Sequence, residues 1–239
     1  MTTAFSRNGC TLDSANTLQM NNILRHRFRN LCAGMKMSIQ RIADQTAATH
    51  PDIGEISTVI LSEMDKLQTF TERMDLVFDR LPRPRNMTLR EVIDESKTRF
   101  AERHPACKLQ LKGARGTMSV RHGNWLQLAA QELLDNAAEA VGTNGQVKMT
   151  WKFRPALEIT VANAGAVIPE DIPTAPPRPF YTSRSRHDGL GLAIVRRLCK
   201  ALKADLEFVH KPSKSVVVRI RFSAKETRNE ENTRPHRRG

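Results

Sequence analysis

Asp188-Gly189-Leu190-Gly191-Leu192 leads into Ala193-Ile194-Val195-Arg196-Arg197-Leu198, two glycines one residue apart at the mouth of an apolar, helix-patterned run. Glycine lets backbone approach a ligand closely and adopts dihedrals that other residues resist. A helix that starts here presents unpaired N–H groups and the positive end of its dipole, which suits a phosphate. A lone Gly-x-Gly is more often a plain turn before an amphipathic helix. It is not a dinucleotide fingerprint, because the third glycine is missing and polar Ser183-Arg184-Ser185-Arg186-His187 precedes it in place of a strand. No Gly-x-x-x-x-Gly-Lys-Ser/Thr loop occurs in the chain either.

Company strengthens the turn. Upstream lies Gln131-Glu132-Leu133-Leu134-Asp135-Asn136-Ala137-Ala138-Glu139-Ala140. Between the two lie Val161-Ala162-Asn163-Ala164-Gly165-Ala166-Val167-Ile168-Pro169 and Pro179-Phe180-Tyr181-Thr182-Ser183. Four segments in this order resemble the nucleotide-binding boxes of the GHKL (Bergerat-type) ATPases, and most closely those of bacterial two-component sensor histidine kinases. The resemblance covers about half of the chain, from near Trp125 to near Phe222.

Glu132 and Asn136, four apart on a helix, share a face. An amide oxygen there suits Mg²⁺ held jointly with ATP phosphates, since Mg²⁺ takes few protein oxygens. The bland alternative is a polar face turned to solvent. The resemblance implies that Asn136 holds the metal and that Glu132 orients water or the metal's shell. It places Asn163 at the adenine, where Asp is usual and where the amide oxygen remains an acceptor. Gly165 matches a glycine of the same box, whereas Val167 stands where a second glycine is common. Phe180 matches an aromatic that packs over the nucleotide, and Gly189, Leu190, Gly191 and Leu192 form the phosphate turn. Arg184, Arg186 and His187 either reach phosphates or stay solvated.

The N-terminal half reads as helices. Leu24, Phe28, Leu31, Met35 and Ile42 fall on one stripe at three- and four-residue steps. His50-Pro51 breaks it, and Asp52 with Glu55 predicts a capping box. The second stripe runs Ile53, Ile56, Ile60, Met64, Leu67, Met74, Phe78, Leu81. One antiparallel hairpin cannot hide both stripes, so a homodimeric four-helix bundle is expected. His26 and Asn30 lie four apart, nearly opposite the first stripe. Such a His is more often an ordinary surface residue. Leu24-Arg25-His26-Arg27-Phe28-Arg29-Asn30-Leu31 resembles the phosphoacceptor box of histidine kinases, which makes His26 the nucleophile and Asn30 its holder. Arg27 stands where many kinases place an acid, and a missing general base costs on the order of 10²–10⁴ in rate. Arg25, Arg27, Arg29 and Lys36 would steer an acidic receiver domain of a response regulator; plain solvation is the simpler reading of Lys36.

The expected fold class is therefore α + α/β, a helical hairpin followed by a GHKL α/β sandwich. Its parts are an arm at 1–13, a dimerisation and phosphotransfer hairpin at 14–82, an ATP-binding domain at 86–222 and a basic tail at 223–239. Pro82-Arg83-Pro84 marks the linker. Thr88 with Glu91 caps a helix to about Glu102, and another spans about Asn124 to Val141. Strands are expected at 108–112, 117–121, 146–153, 157–162, 204–209 and 215–222, with a long functional loop at 165–187.

The formal net charge of +13 raises nucleic acid or an acidic membrane as partners. No basic stripe interleaved with aromatics supports base stacking, so nucleic acid is not expected. The cysteines Cys10, Cys32, Cys107 and Cys199 have no paired spacing, which argues against zinc and disulfides and fits a cytoplasmic protein. No apolar run nears the ~20 residues of a membrane span, and a form without a sensor domain is expected. The function expected is a kinase that uses Mg²⁺-ATP to phosphorylate its own His26 and passes the phosphoryl group to an Asp of a response regulator. The rivals are an ATP-independent histidine phosphotransferase with a degenerate ATP domain and a basic nucleic-acid-binding module.

Overall fold

The computed structural model describes residues 14–46, 49–116, 118–164, 179–180, 188–211 and 215–223. The chain divides into two compact units, Met1–Met74 and Asp75–Gly239. The expected arm and tail, Gly165, Val167 and the Arg184/Arg186/His187 group lie outside the described residues.

Two helices make the first unit, α1 (Ser14–Thr46) and α2 (Pro51–Phe78), the second running on past the unit's end. Pro51 occupies the first helical position, where its fixed φ helps and its missing N–H costs nothing. The helix thus opens one residue before the predicted cap. Asp52 sits inside the first turn, where its charge complements the dipole. An ion pair between Lys36 and Asp65 sets the helices side by side and antiparallel.

Among the described side chains of this unit, Arg25, Cys32, Ser57, Met64 and Thr71 are buried. The predicted stripe of α1 is not among them: Leu24, Phe28, Leu31, Met35 and Ile42 are all exposed, as are Ile56, Ile60 and Leu67 of α2. The helices of one hairpin cover only one seam, and the stronger apolar seam faces outward. Arg25, expected in an exposed basic cluster, is buried, and Lys36 is engaged with Asp65.

In the second unit, β1 (Met87–Thr88) pairs with β3 (Ser119–Val120) in a small antiparallel ladder, where a strand at 117–121 was expected. Strands β2 (Lys108–Gly113), β4 (Gln146–Lys152), β5 (Glu158–Ala164), β6 (Ala204–Lys211) and β7 (Ser215–Phe222) form one sheet in the order β2-β4-β5-β7-β6. Only β2 and β4 are parallel; the helical crossover between them makes that possible.

Three helices, α3 (Leu89–Arg103), α4 (Gly123–Val141) and α5 (Gly191–Ala201), cover one face, with α4 between the other two over β4 and β5. Val147, Met149, Ile159, Val161, Val218 and Ile220 point into that layer, against Leu126, Ala130, Leu133, Leu134, Ile194 and Leu198. The period-2 alternation puts Lys148 and Lys152 on the opposite, exposed face. There Glu158 bridges Lys152 (3.3 Å) and Arg219 (3.2 Å). Thr88 caps α3 with Glu91 in a reciprocal capping box, as its sequence predicts.

Candidate functional site

Helix α4 carries two polar rows. Gln127, Gln131 and Asp135 are buried. Asp135 accepts from Arg103 Nη1 (2.6 Å), His104 Nε2 (2.9 Å) and Gln131 Nε2 (2.9 Å), which ties α4 to the end of α3. Sequence reasoning missed this cluster, because pairing across 31 residues leaves no local pattern. Glu132 and Asn136 form the other row, half-buried.

The glycine turn meets that second row. Gly189 takes φ of 66°, in the left-handed region where side chains are strained. The Leu190 N–H donates to Asp188 Oδ1 (3.0 Å), and the Phe180 N–H donates to the Gly189 carbonyl (3.1 Å). Leu190 is fully buried and anchors the turn, whereas Leu192 is half-buried. A Cβ at Gly191 would lie 2.9 Å from Asn136 Nδ2 and 3.1 Å from Glu132 Oε2. Glu132, Asn136 and Gly191 are therefore in one place, and a side chain at Gly191 would make the ends of the Asn136 and Glu132 side chains shift.

Asn163 lies on β5 with the parity of Ile159 and Val161, paired with Val147, and is buried. Asn136 Nδ2 and Asn163 Nδ2 are buried and without a protein partner among the described residues. An orphaned buried amide costs about 1–3 kcal/mol, so each invites a bound group. An adenine edge offers an acceptor for one amide atom and a donor for the other. No cluster of three or more His, Cys, Asp and Glu side chains occurs among the described residues. A divalent ion beside Asn136 and Glu132 would thus take most of its oxygens from phosphate and water, which is the habit of Mg²⁺. The residues present fit a magnesium nucleotide.

Phe180 stacks on Phe78, ring centroids 5.9 Å apart. At the start of α4, burial and then the charge of Arg121 hold the His122 imidazole below its ordinary value. Burial, followed by the charge of Asp205, pushes the Cys199 thiol up to about 12, which makes it inert. In the first unit His26 and Asn30 are both exposed, with Asn30 Nδ2 3.4 Å from His26 Nδ1.

Residues 121–226 match the family of histidine kinase-, DNA gyrase B- and HSP90-like ATPases. The chain is 25% identical over 196 residues to the sensory histidine kinase/phosphatase NtrB of Rhizobium leguminosarum bv. phaseoli, an alignment covering 73% of this chain and 50% of that protein. The chain thus spans about half the length of the curated relatives it matches. Among solved structures, full-length ShkA in complex with AMPPNP shares the fold at a TM-score of 0.71 and 15% identity, over 85% of this chain and 45% of that one. Histidine kinase ThkA in complex with the response regulator protein TrrA does so at 0.55 and 20%, over 87% and 62%. No helix among the described residues is long and apolar enough to cross a membrane. The glycine turn, the carboxamide helix and the sheet beneath them thus lie within the residues that match the family of histidine kinase-, DNA gyrase B- and HSP90-like ATPases, in a chain similar to the sensory histidine kinase/phosphatase NtrB.

Proposed function

We propose that this chain is a cytoplasmic two-component histidine kinase. The second unit binds Mg²⁺-ATP, and the first carries the phosphoacceptor His26 and pairs with a second copy through its exposed seam. The observation that carries the reading is His26 itself: an exposed imidazole next to Asn30, in one chain with an ATPase domain.

Asn30 would set the tautomer. With its carboxamide turned so that Oδ1 faces the ring, the Nδ1–H donates to it and leaves a lone pair on Nε2. That lone pair attacks the γ-phosphorus, the N–P bond forms, the bond to the β-phosphate oxygen breaks and ADP leaves. Asn163 would seat the adenine, Asn136 and Glu132 would hold Mg²⁺, and Gly189 to Leu192 would offer backbone N–H groups to the phosphates. Bound Mg²⁺ neutralises phosphate charge. Gly165 and Phe180 would complete the nucleotide's surroundings. The phosphoryl group would pass to an Asp of a response regulator; similarity to ThkA, solved with TrrA, supports this.

Incubation with γ-labelled ATP tests the reading. Acid-labile label is expected on the wild type and not on His26→Gln, and absence of label on both overturns it. A second reading, a phosphotransferase that does not use ATP, draws on the Asp188 carboxylate, which already takes the Leu190 N–H, and on Arg27, Asn163 and Val167. A ligand at 100 times its Kd adds ~2.7 kcal/mol of stability. A melting curve unmoved by Mg²⁺-ATP would favour this alternative.

A further inference from the structure

Helix α4 is fastened at two places within the second unit. At its start the N-cap residue, His122, gives the helix no side-chain bond, and the first N–H groups of any helix lack intrahelical partners. A strap at 82–86 supplies bonds there. The His122 N–H donates to Asn86 Oδ1 (3.2 Å) and the Asn124 N–H to the Arg85 carbonyl (3.3 Å). In return Trp125 Nε1–H donates to the Pro82 carbonyl (2.9 Å) and Asn124 Nδ2–H to that of Arg83 (2.9 Å), while Asn124 Oδ1 accepts from the Arg85 N–H (2.8 Å).

The second fastening is Asp135. Its carboxylate takes Arg103 and His104 from the end of α3 and Gln131 from its own helix. His104 is itself seated, its ring tilted against buried Phe100 with centroids 5.2 Å apart. An apolar row in this place would stabilise the fold as well or better, because desolvating an ion pair consumes much of its attraction. The row also leaves Gln127 Nε2 and Gln131 Oε1 buried without a partner among the described residues. What it supplies is direction: bonds to fixed donors, where apolar contact would let the helix turn. Successive residues of a helix point about 100° apart. Asp135 faces α3, and the next residue, Asn136, faces Gly191 of α5 together with Glu132. A rotation of α4 that loosened Asp135 would swing both away from the glycine turn.

We infer that Asp135 is a positioning residue for the nucleotide site: by holding α4 to Arg103 and His104 it sets the angle at which Asn136 and Glu132 meet the glycine turn, and so the affinity for the metal and phosphate end of the nucleotide. This rests on the reading of that turn as a nucleotide site. Asp135 itself touches no ligand in this role. Asn163, which would seat the adenine, stands on β5, so its direction does not depend on the rotation of α4.

Titration calorimetry on the full chain compares two probes, Mg²⁺-ATP and metal-free ADP in EDTA, at a temperature where circular dichroism shows each variant folded. Asp135→Asn keeps the size of the side chain and turns one acceptor into a donor that faces Arg103 or His104. Its affinity for Mg²⁺-ATP is expected to fall about 10- to 100-fold, as suits a misplacement of about 1 Å. Its affinity for metal-free ADP stays within about twofold, the margin within which independent sites add. Arg103→Ala removes one donor whose side chain is more than half exposed, and it keeps the inference testable if the first variant does not fold. The same pattern is expected there, with a loss of about three- to tenfold on Mg²⁺-ATP. Equal losses on both probes make Asp135 merely structural and overturn the positioning role, as does an unchanged affinity for Mg²⁺-ATP. A wild type that binds neither probe overturns the nucleotide-site reading, and the inference with it.

Discussion

A methyl group at Gly191 would stand 2.9 Å from Asn136 Nδ2, so the glycine turn and the carboxamide helix touch through a hydrogen atom's worth of space. Gly191→Ala forces that contact open. Overpacking of this kind costs about 1–3 kcal/mol, and the displaced turn no longer faces Asn136. A lower melting temperature and no further rise with Mg²⁺-ATP are expected in a thermal melt. A full nucleotide shift in the variant would place the phosphates elsewhere.

Asn136→Ala separates stability from function. The Nδ2 group it removes is buried without a partner among the described residues, so the apo protein keeps its stability or gains slightly. The stabilisation by Mg²⁺-ATP disappears. Calorimetric melts with and without nucleotide measure both arms, and a large loss of apo stability would mean that Asn136 is structural.

Asp188→Asn keeps an oxygen acceptor for the Leu190 N–H, now 3.0 Å from the carboxylate, and removes a negative charge from the glycine turn. Nucleotide affinity is expected to rise by about three- to tenfold, as suits the loss of one like charge near the surface. Titration calorimetry with Mg²⁺-ATP measures it. Weaker binding would show that the carboxylate helps the metal.

Two groups make stability fall on the acid side. His122 is held below its ordinary value, first by burial and then by Arg121. Between its folded value and 6.5 the unfolded chain binds more protons, so stability rises with pH there. The contribution is complete above about 6.5 and is lost as pH falls through the folded value. Glu91 is lowered by the Thr88 backbone N–H, then by the Thr88 hydroxyl. Its contribution is present above the unfolded value and is lost as pH falls through the folded one. Urea unfolding from about pH 2 to 8 measures both. His122→Asn, which tolerates the left-handed φ of 57°, should flatten the upper part of the profile.

The exposed seam of α1 predicts association. Leu31→Asp with Met35→Asp, both at exposed positions, should convert a dimer to a monomer in light scattering without unfolding the second unit. A wild type that is monomeric at micromolar concentration would remove the reason for that seam.

Much of this was legible in the residues. Thr88 and Glu91 announce α3, alternation announces β4 and β7, and Glu132, Asn136 and Gly191 meet as their motifs suggest. The faces of the hairpin were not legible. Burial of Arg25 and Cys32 follows from which seam the two helices share, and periodicity reports that a stripe is apolar without saying what covers it. The two-residue strand β1 carries no period at all, whereas β3 falls inside the strand expected at 117–121. Arg197 reads as a solvated helix residue until the end of α2, 118 or more residues away, is placed beside it.

The clasp of Trp125 and Asn124 on Pro82 and Arg83 also bears on dissecting the chain. A fragment cut at Asn86 would shed the strap bonded to the start of α4 and take the Pro82 carbonyl from the Trp125 indole N–H. A fragment cut at Asp75 would carry both closures with it, and is the better starting point for isolating the nucleotide-binding half.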